Sequence, residues 1–197
     1  MTALYWHNFF VEAFSKILFM EKMDELHELL QHDLQMLLSA EEQLITAMPA
    51  MIAKATNPAL KQALEQHLQI TRSQRERLVD VQQMIGSDKD SVTDHSGLLA
   101  RLLGGGTTCK GMQGLIEEGQ KVMAENLSDE VMDAAIIGGS QKIEHFEIAA
   151  YGTARTYAQH LGLTQVAQLL QQTLDEEYRA DELLTQLAVR DVNLQAI

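Results

Sequence analysis

Residues 141–155 read QKIEHFEIAAYGTAR, a stretch in which two glutamates and a histidine interrupt a helix otherwise suited to burial. Projected at about 100° per residue, Glu144 and Glu147 fall inside a wide apolar arc with Ile136, Ile143, Ile148, Tyr151 and Ala154, whereas His145 points toward Gln141 and Lys142. A carboxylate on a buried stripe costs several kcal/mol of desolvation unless a cation or hydrogen-bond donors meet it. The groups facing Glu144 and Glu147 therefore decide what kind of bundle this is.

The helix that carries them has chemical ends. Ser128-Asp129-Glu130 supplies an N-cap with acids in the first turn, and Leu161-Gly162-Leu163 a glycine stop. The spacing predicts this helix over Asp129 to His160 and a partner from Thr164 to about Val189. Upstream, Leu30, Leu34, Leu37, Leu38, Leu44, Ile45, Met48 and Ile52 keep one stripe on a helix from Asp24 to about Thr56. Asn57-Pro58 then turns the chain into a second helix reaching about Ile85. Gly86 to Lys110 loses the period apart from a short LLARLL piece and reads as a long connection, followed by a short helix over Met112 to Asn126. Rich Leu, Ala, Gln and Glu content with two prolines favours helix throughout. The expectation is an all-α, ferritin-like four-helix bundle: two helical hairpins joined by a long crossover that contains a short extra helix.

Other polar groups fall on the inner stripes. Glu41 lies among Leu34, Leu37, Leu38, Ile45 and Met48; Glu177 and Asp181 lie among Val166, Leu170, Thr173, Leu174 and Leu184. The second helix offers His67, with Thr71 and Gln74 in the following turns. Antiparallel partners meet at residues equally far from their shared turn, which sets Glu41 near Ile70 to Gln74 and Glu144 near Ala180, level with Glu177 and Asp181. Acids converging at one height call for positive charge, and a pair of metal ions supplies it in ferritin-like carboxylate proteins. Glu144-x-x-Glu147 keeps the one-turn separation of the Glu-x-x-His pair used there. Oxygen-rich ligands with an imidazole suit iron(II) or manganese(II) better than zinc. A competing expectation is a metal-free bundle acting as a binding or assembly module, in which the acids are met by Lys, Arg, His67 or Tyr151; a storage cage is a third.

A formal charge of −13 argues against nucleic acid and anionic membranes as partners. The concentrated basic run, Arg72, Arg75 and Arg77, reads as a solvated face. Cys109 is alone, so no intrachain disulfide forms and a reducing cytoplasm is the expected setting. A packed cysteine and a peroxide-sensing thiol are its two readings. Residues 1–22 hold most of the aromatics but lack the features of a signal peptide or a bilayer span, so they read as an N-terminal extension, either docking or lying upstream of a start at Met20 or Met23. Residues 23–190 form the bundle and 191–197 a tail. Small residues Gly138, Gly139, Ala149, Ala150 and Gly152 cover more of the fourth helix than one core requires, which predicts a homodimer.

SAEEQL around Glu41, ALEQHL ending at Leu68, CKGMQGLIEEG from Cys109, the opening stretch, and LLQQTLDEEYRADELLTQLA give the chain its family character. From about Met23 to Val189 the sequence resembles the YciE/YciF family of bacterial stress proteins, which implies a ferritin-like, rubrerythrin-related fold. Carried over by position, that family's suspected metal ligands are Glu41, His67, Glu144, Glu147 and Glu177, with Asp181 alongside, and the implied chemistry is reaction with peroxide or oxygen in stress. One departure stands out: Ile70 occupies the place of a family glutamate one turn after His67, and Gln69 replaces another acid. The contribution of the second helix then shrinks to His67 and Gln74.

Overall fold

A computed structural model describes residues 2–87, 108–193 and 196. Helix α1 runs Thr2–Lys54, α2 Pro58–Ser87, α3 Lys110–Met123, α4 Asp129–His160 and α5 Thr164–Leu187, the last continuing into a π-helical turn over Ala188–Val192. Helices α1 and α2 form one hairpin and α4 and α5 the other; the hairpins face each other through α1 against α4 and α2 against α5, and α3 lies along the outside of α1 and α4. The expected all-α bundle of two hairpins is what the chain forms. The LLARLL piece and most of the crossover lie outside the described residues. Among the described residues no helix is long and apolar enough to cross a membrane.

Helix α1 begins far earlier than Asp24. Between Thr2 and Met23 there is no glycine or proline to stop it, so the helix continues through the aromatic-rich stretch. Helix α3 sits about a half-turn earlier than the spacing suggests, starting directly after Cys109, whose backbone is extended at φ −68° and ψ 99°.

The remaining ends follow their chemistry. The Asn57 Oδ1 accepts from the backbone N–H of Ala59 (2.9 Å) and Leu60 (3.1 Å), capping α2 just ahead of Pro58. Ser128 Oγ accepts from Val131 N at 3.4 Å. At the α4–α5 turn Gly162 adopts φ +73°, and Leu163 N donates to Ala158 O at 2.9 Å. A side chain at that φ is strained, so Gly162→Ala should cost about 1 kcal/mol and lower the melting temperature by about 2–4 °C in a circular-dichroism melt.

Asp133, 3% exposed on α4, ties the first turn to the second hairpin. Its carboxylate accepts from Thr56 N (2.8 Å), Thr56 Oγ1 (2.7 Å) and Asn57 N (2.7 Å).

Two apolar plugs fill the bundle. Leu30, Leu34, Leu37, Leu78, Val81, Ile85, Tyr151, Leu170 and Leu174 pack toward the α4–α5 turn. Leu60, Leu64, Met132, Ile136, Ile137 and Leu184 pack toward the α1–α2 turn. A smaller group, Ala40, Leu44, Cys109, Met112 and Ile143, lies beneath α3. Between the plugs lies a layer of buried polar side chains.

Candidate metal centre

The polar layer is built by one inward turn from each long helix. Glu41 on α1, Glu144 and Glu147 on α4, and Glu177 on α5 are all at most 2% exposed. His67 on α2 faces them, its side chain 13% exposed, so the layer meets solvent on the histidine side. One ligand-type atom from each of His67, Glu144, Glu147 and Glu177 lies within 4.8 Å of the other three. His67 Nε2 is 3.3 Å from Glu144 Oε1 and 4.0 Å from Glu177 Oε2.

Neutral donors meet part of this charge. Tyr151 Oη donates to Glu41 Oε1, and Gln74 Nε2 donates to Glu177 Oε1 and, at 3.2 Å, to Glu176 Oε2. Among the described residues no lysine or arginine forms an ion pair with Glu41, Glu144, Glu147 or Glu177. Arg77 approaches but is forked onto Glu176, at 2.9 and 3.0 Å, and also donates to Thr173 Oγ1. That leaves Glu41 Oε2, Glu144 Oε2, Glu147 Oε1, Glu177 Oε2 and His67 Nδ1 buried without a hydrogen-bond partner.

The protonation equilibria respond to this crowding. Burial first, and neighbouring carboxylates second, raise Glu41, Glu144 and Glu147 well above the usual glutamate value. Glu177 rises to about 7, mainly through burial, against the pull of its bonds from Glu144 and Gln74. Burial lowers His67 to about 4. Without a cation, burial and mutual repulsion favour the protonated form of each carboxyl, and the imidazole is uncharged at neutral pH.

Five of the six expected ligands gather here, and one does not. Asp181 lies one turn beyond Glu177 at the edge of the bundle, where it accepts from Gln141 Nε2 (3.0 Å) and pairs with the exposed His145 (3.4 Å). Glu41 is in the layer but outside the tight group of four. The expectation that Ile70 vacates an inner position needs correcting. Ile70 is 37% exposed, while Thr71 and Gln74 hold the interior of α2. Arg77 likewise departs from the solvated-face reading: its side chain is 13% exposed and holds Glu176, whereas Arg75 is exposed and pairs with Glu42 at 3.3 Å. Tyr151 meets an inner acid, as the metal-free expectation had it, while the Arg77–Glu176 pair escaped the sequence reading. The available signal was positional, since Arg77 follows Gln74 by one turn and Glu176 adjoins Glu177.

A family model described as "Domain of unknown function (DUF892)" matches residues 25–197. Protein YciF of Escherichia coli (strain K12) is 38% identical over 174 residues, which cover 88% of this chain and 96% of that protein. The chain belongs to the YciF family. The crystal structure of the E. coli stress protein YciF matches with a TM-score of 0.73 at 36% identity, covering 85% of this chain and 97% of that one. YcfI from Rhodopseudomonas palustris matches with a TM-score of 0.69 at 34% identity, covering 81% of this chain and 92% of that one. In this YciF-family chain, the buried carboxylate and histidine group has the donor chemistry to hold a cation, because it combines converging oxygens, one imidazole and buried lone pairs without partners.

Proposed function

We propose that this YciF-family protein binds iron or manganese through His67, Glu144, Glu147 and Glu177, with Glu41 beside them, and that the centre engages peroxide or dioxygen under stress. The observation that supports this most is the convergence of four ligand-type side chains from three helices, with a buried lone pair left open on each carboxylate. A divalent cation would neutralise charge that only protons otherwise offset. When bound, the ion would supply Lewis-acid or redox chemistry to an oxidant. The protein's own part is to hold the oxygens in place: Gln74 fixes one edge of Glu177, Tyr151 fixes Glu41, and Arg77 holds the neighbouring Glu176 in a two-bond fork. The two apolar plugs close the layer above and below, leaving His67 as the side of approach. The stress role rests on the likeness to the E. coli stress protein YciF, and the cytoplasm suits the single unpaired cysteine.

Metal analysis tests the reading. Protein dialysed against manganese(II), or against iron(II) without oxygen, should retain metal, and Glu144→Gln should bind at least about 100-fold more weakly. Equal retention by both proteins, or none by wild type, overturns it.

The bonds from Tyr151 and Gln74 favour a second reading, a metal-free bundle whose acids are kept neutral and serve assembly. Assembly as a homodimer finds support on α4, where Gly138 and Gly139 border an open groove of about 290 Å³ shared with α3 and lined by Leu115, Gly119 and Val122. Light scattering should give twice the chain mass at micromolar concentration; a monomer removes the dimer.

A further inference from the structure

Resting on the metal reading above, we infer that the centre holds a single ion per chain and that Gln74 is the residue that keeps out a second. Two-ion centres in helical bundles draw on four carboxylates and two histidines, with a Glu-x-x-His pair on each of two helices, and set their ions about 3.5–4 Å apart. Helix α2 cannot supply its half of such a set. Three residues before His67 stands Leu64, buried in the lower apolar plug, where the paired glutamate would have to be. The next inward positions are also committed. Thr71 Oγ1 donates to the backbone oxygen of His67 at 3.0 Å and lies 3.8 Å from Met48 Sδ. Gln74 spends its amide N–H groups on Glu176 and Glu177.

The orientation of Gln74 follows from its surroundings. Glu176 is forked onto the Arg77 guanidinium and offers only lone pairs, so the Gln74 NH₂ group faces it and reaches Glu177 as well. Those hydrogens present partial positive charge on the α2 side of Glu177, where a second cation would need a lone pair. On the other side of the layer Glu41 Oε1 is engaged by the Tyr151 hydroxyl, and Glu41 falls outside the group of four. The four atoms within 4.8 Å of one another suit one shared ion, and the two groups best placed to extend the set are each occupied by a neutral donor. Gln74 thus acts as a positioning and selecting residue: it orients Glu177 for one ion while its hydrogens exclude a neighbour.

The test is stoichiometry, read on the metal alone. Wild-type protein, stripped with chelator and dialysed against manganese(II), should retain one ion per chain and show the six-line electron paramagnetic resonance signal of magnetically isolated manganese. Gln74→Glu, which exchanges the amide hydrogens for lone pairs, should retain two ions and give the broadened signal of a coupled pair. A gain of metal cannot come from mere loss of structure, so this readout separates selection from folding. Two ions in wild type overturn the inference while leaving the metal reading intact; none in wild type removes the metal reading itself. A folded Gln74→Glu protein that still holds one ion takes the selecting role away from Gln74. Should that variant fail to fold, the wild-type count and signal still decide the number of ions.

Discussion

Asp133→Ala should lower the stability of the protein by about 2–4 kcal/mol and its melting temperature by about 10 °C. The carboxylate is buried, and all three of its hydrogen bonds go to Thr56 and Asn57, two of the three residues that connect α1 to α2. Bonds to a charged acceptor contribute about 1.5–3 kcal/mol each, and water reaches the exposed Thr56 side of the turn, which offsets part of the loss. The Asn57 cap is local to α2 and survives, so the damage falls on the docking of the first hairpin against α4. Asp133→Asn, which keeps acceptors on one oxygen only, should fall between the two. Chemical denaturation checks this: a loss below about 1 kcal/mol for the alanine variant would mean that the turn is held by something else.

The metal-free protein should lose stability steadily as pH rises from 4.5 through about 7. Each carboxyl in the layer has a folded pKa above its unfolded value, so its stabilising proton is fully bound below about 4.5 and lost as pH climbs through the folded value. For Glu177 that window runs from 4.5 to about 7, and Glu41, Glu144 and Glu147 are raised well above 4.5 in the same direction. His67 works the opposite way, since its folded pKa is depressed to about 4, and its contribution is complete above 6.5 and lost on acidification. Between those values it cancels about one carboxyl. Through that window the carboxyls outnumber the imidazole, and each proton lost from a carboxyl costs between about 1 and 2 kcal/mol per pH unit. Calorimetry in chelator should give a melting temperature at least about 5 °C lower at about pH 7.5 than at about pH 5, and Glu147→Gln should reduce the slope. Manganese(II) should flatten or invert it, because the ion displaces the same protons. A flat profile in chelator would show that the carboxyls are solvated.

What the sequence revealed was mostly local. The inward stripes, the Ser128 cap and the Gly162 stop depend on neighbours within a turn or two, so periodicity and capping rules reach them. Glu41, Glu144, Glu147, Glu177 and His67 were visible for the same reason, as polar groups on otherwise apolar faces. Asp181 shares that pattern, but it sits at the boundary of its stripe, where Gln141 and His145 are available and the edge is wet. Position 70 shows the limit of reasoning by correspondence: one turn from His67 along the helix carries the side chain far enough round to leave the interior. Asp133 carried no signal, because its partners are 77 and 76 residues away in a turn. Arg77 misled because its sequence neighbours are polar, while its real environment is Glu176 on another helix.

The acidic layer between the two apolar plugs also governs how the hairpins mate. Leucine against leucine is tolerant of sliding, and one α-helical turn is only about 5.4 Å. A hairpin displaced by one turn would press Glu144 or Glu147 against Leu34, Leu37 or Leu64 and leave Tyr151 and Gln74 without the carboxylates they serve. The alignment in which all the acids coincide is the one in which their protons, or a cation, can be shared. Side chains that weaken the correct structure thus weaken every misaligned one more, and fidelity of assembly is what the bundle gains from burying them.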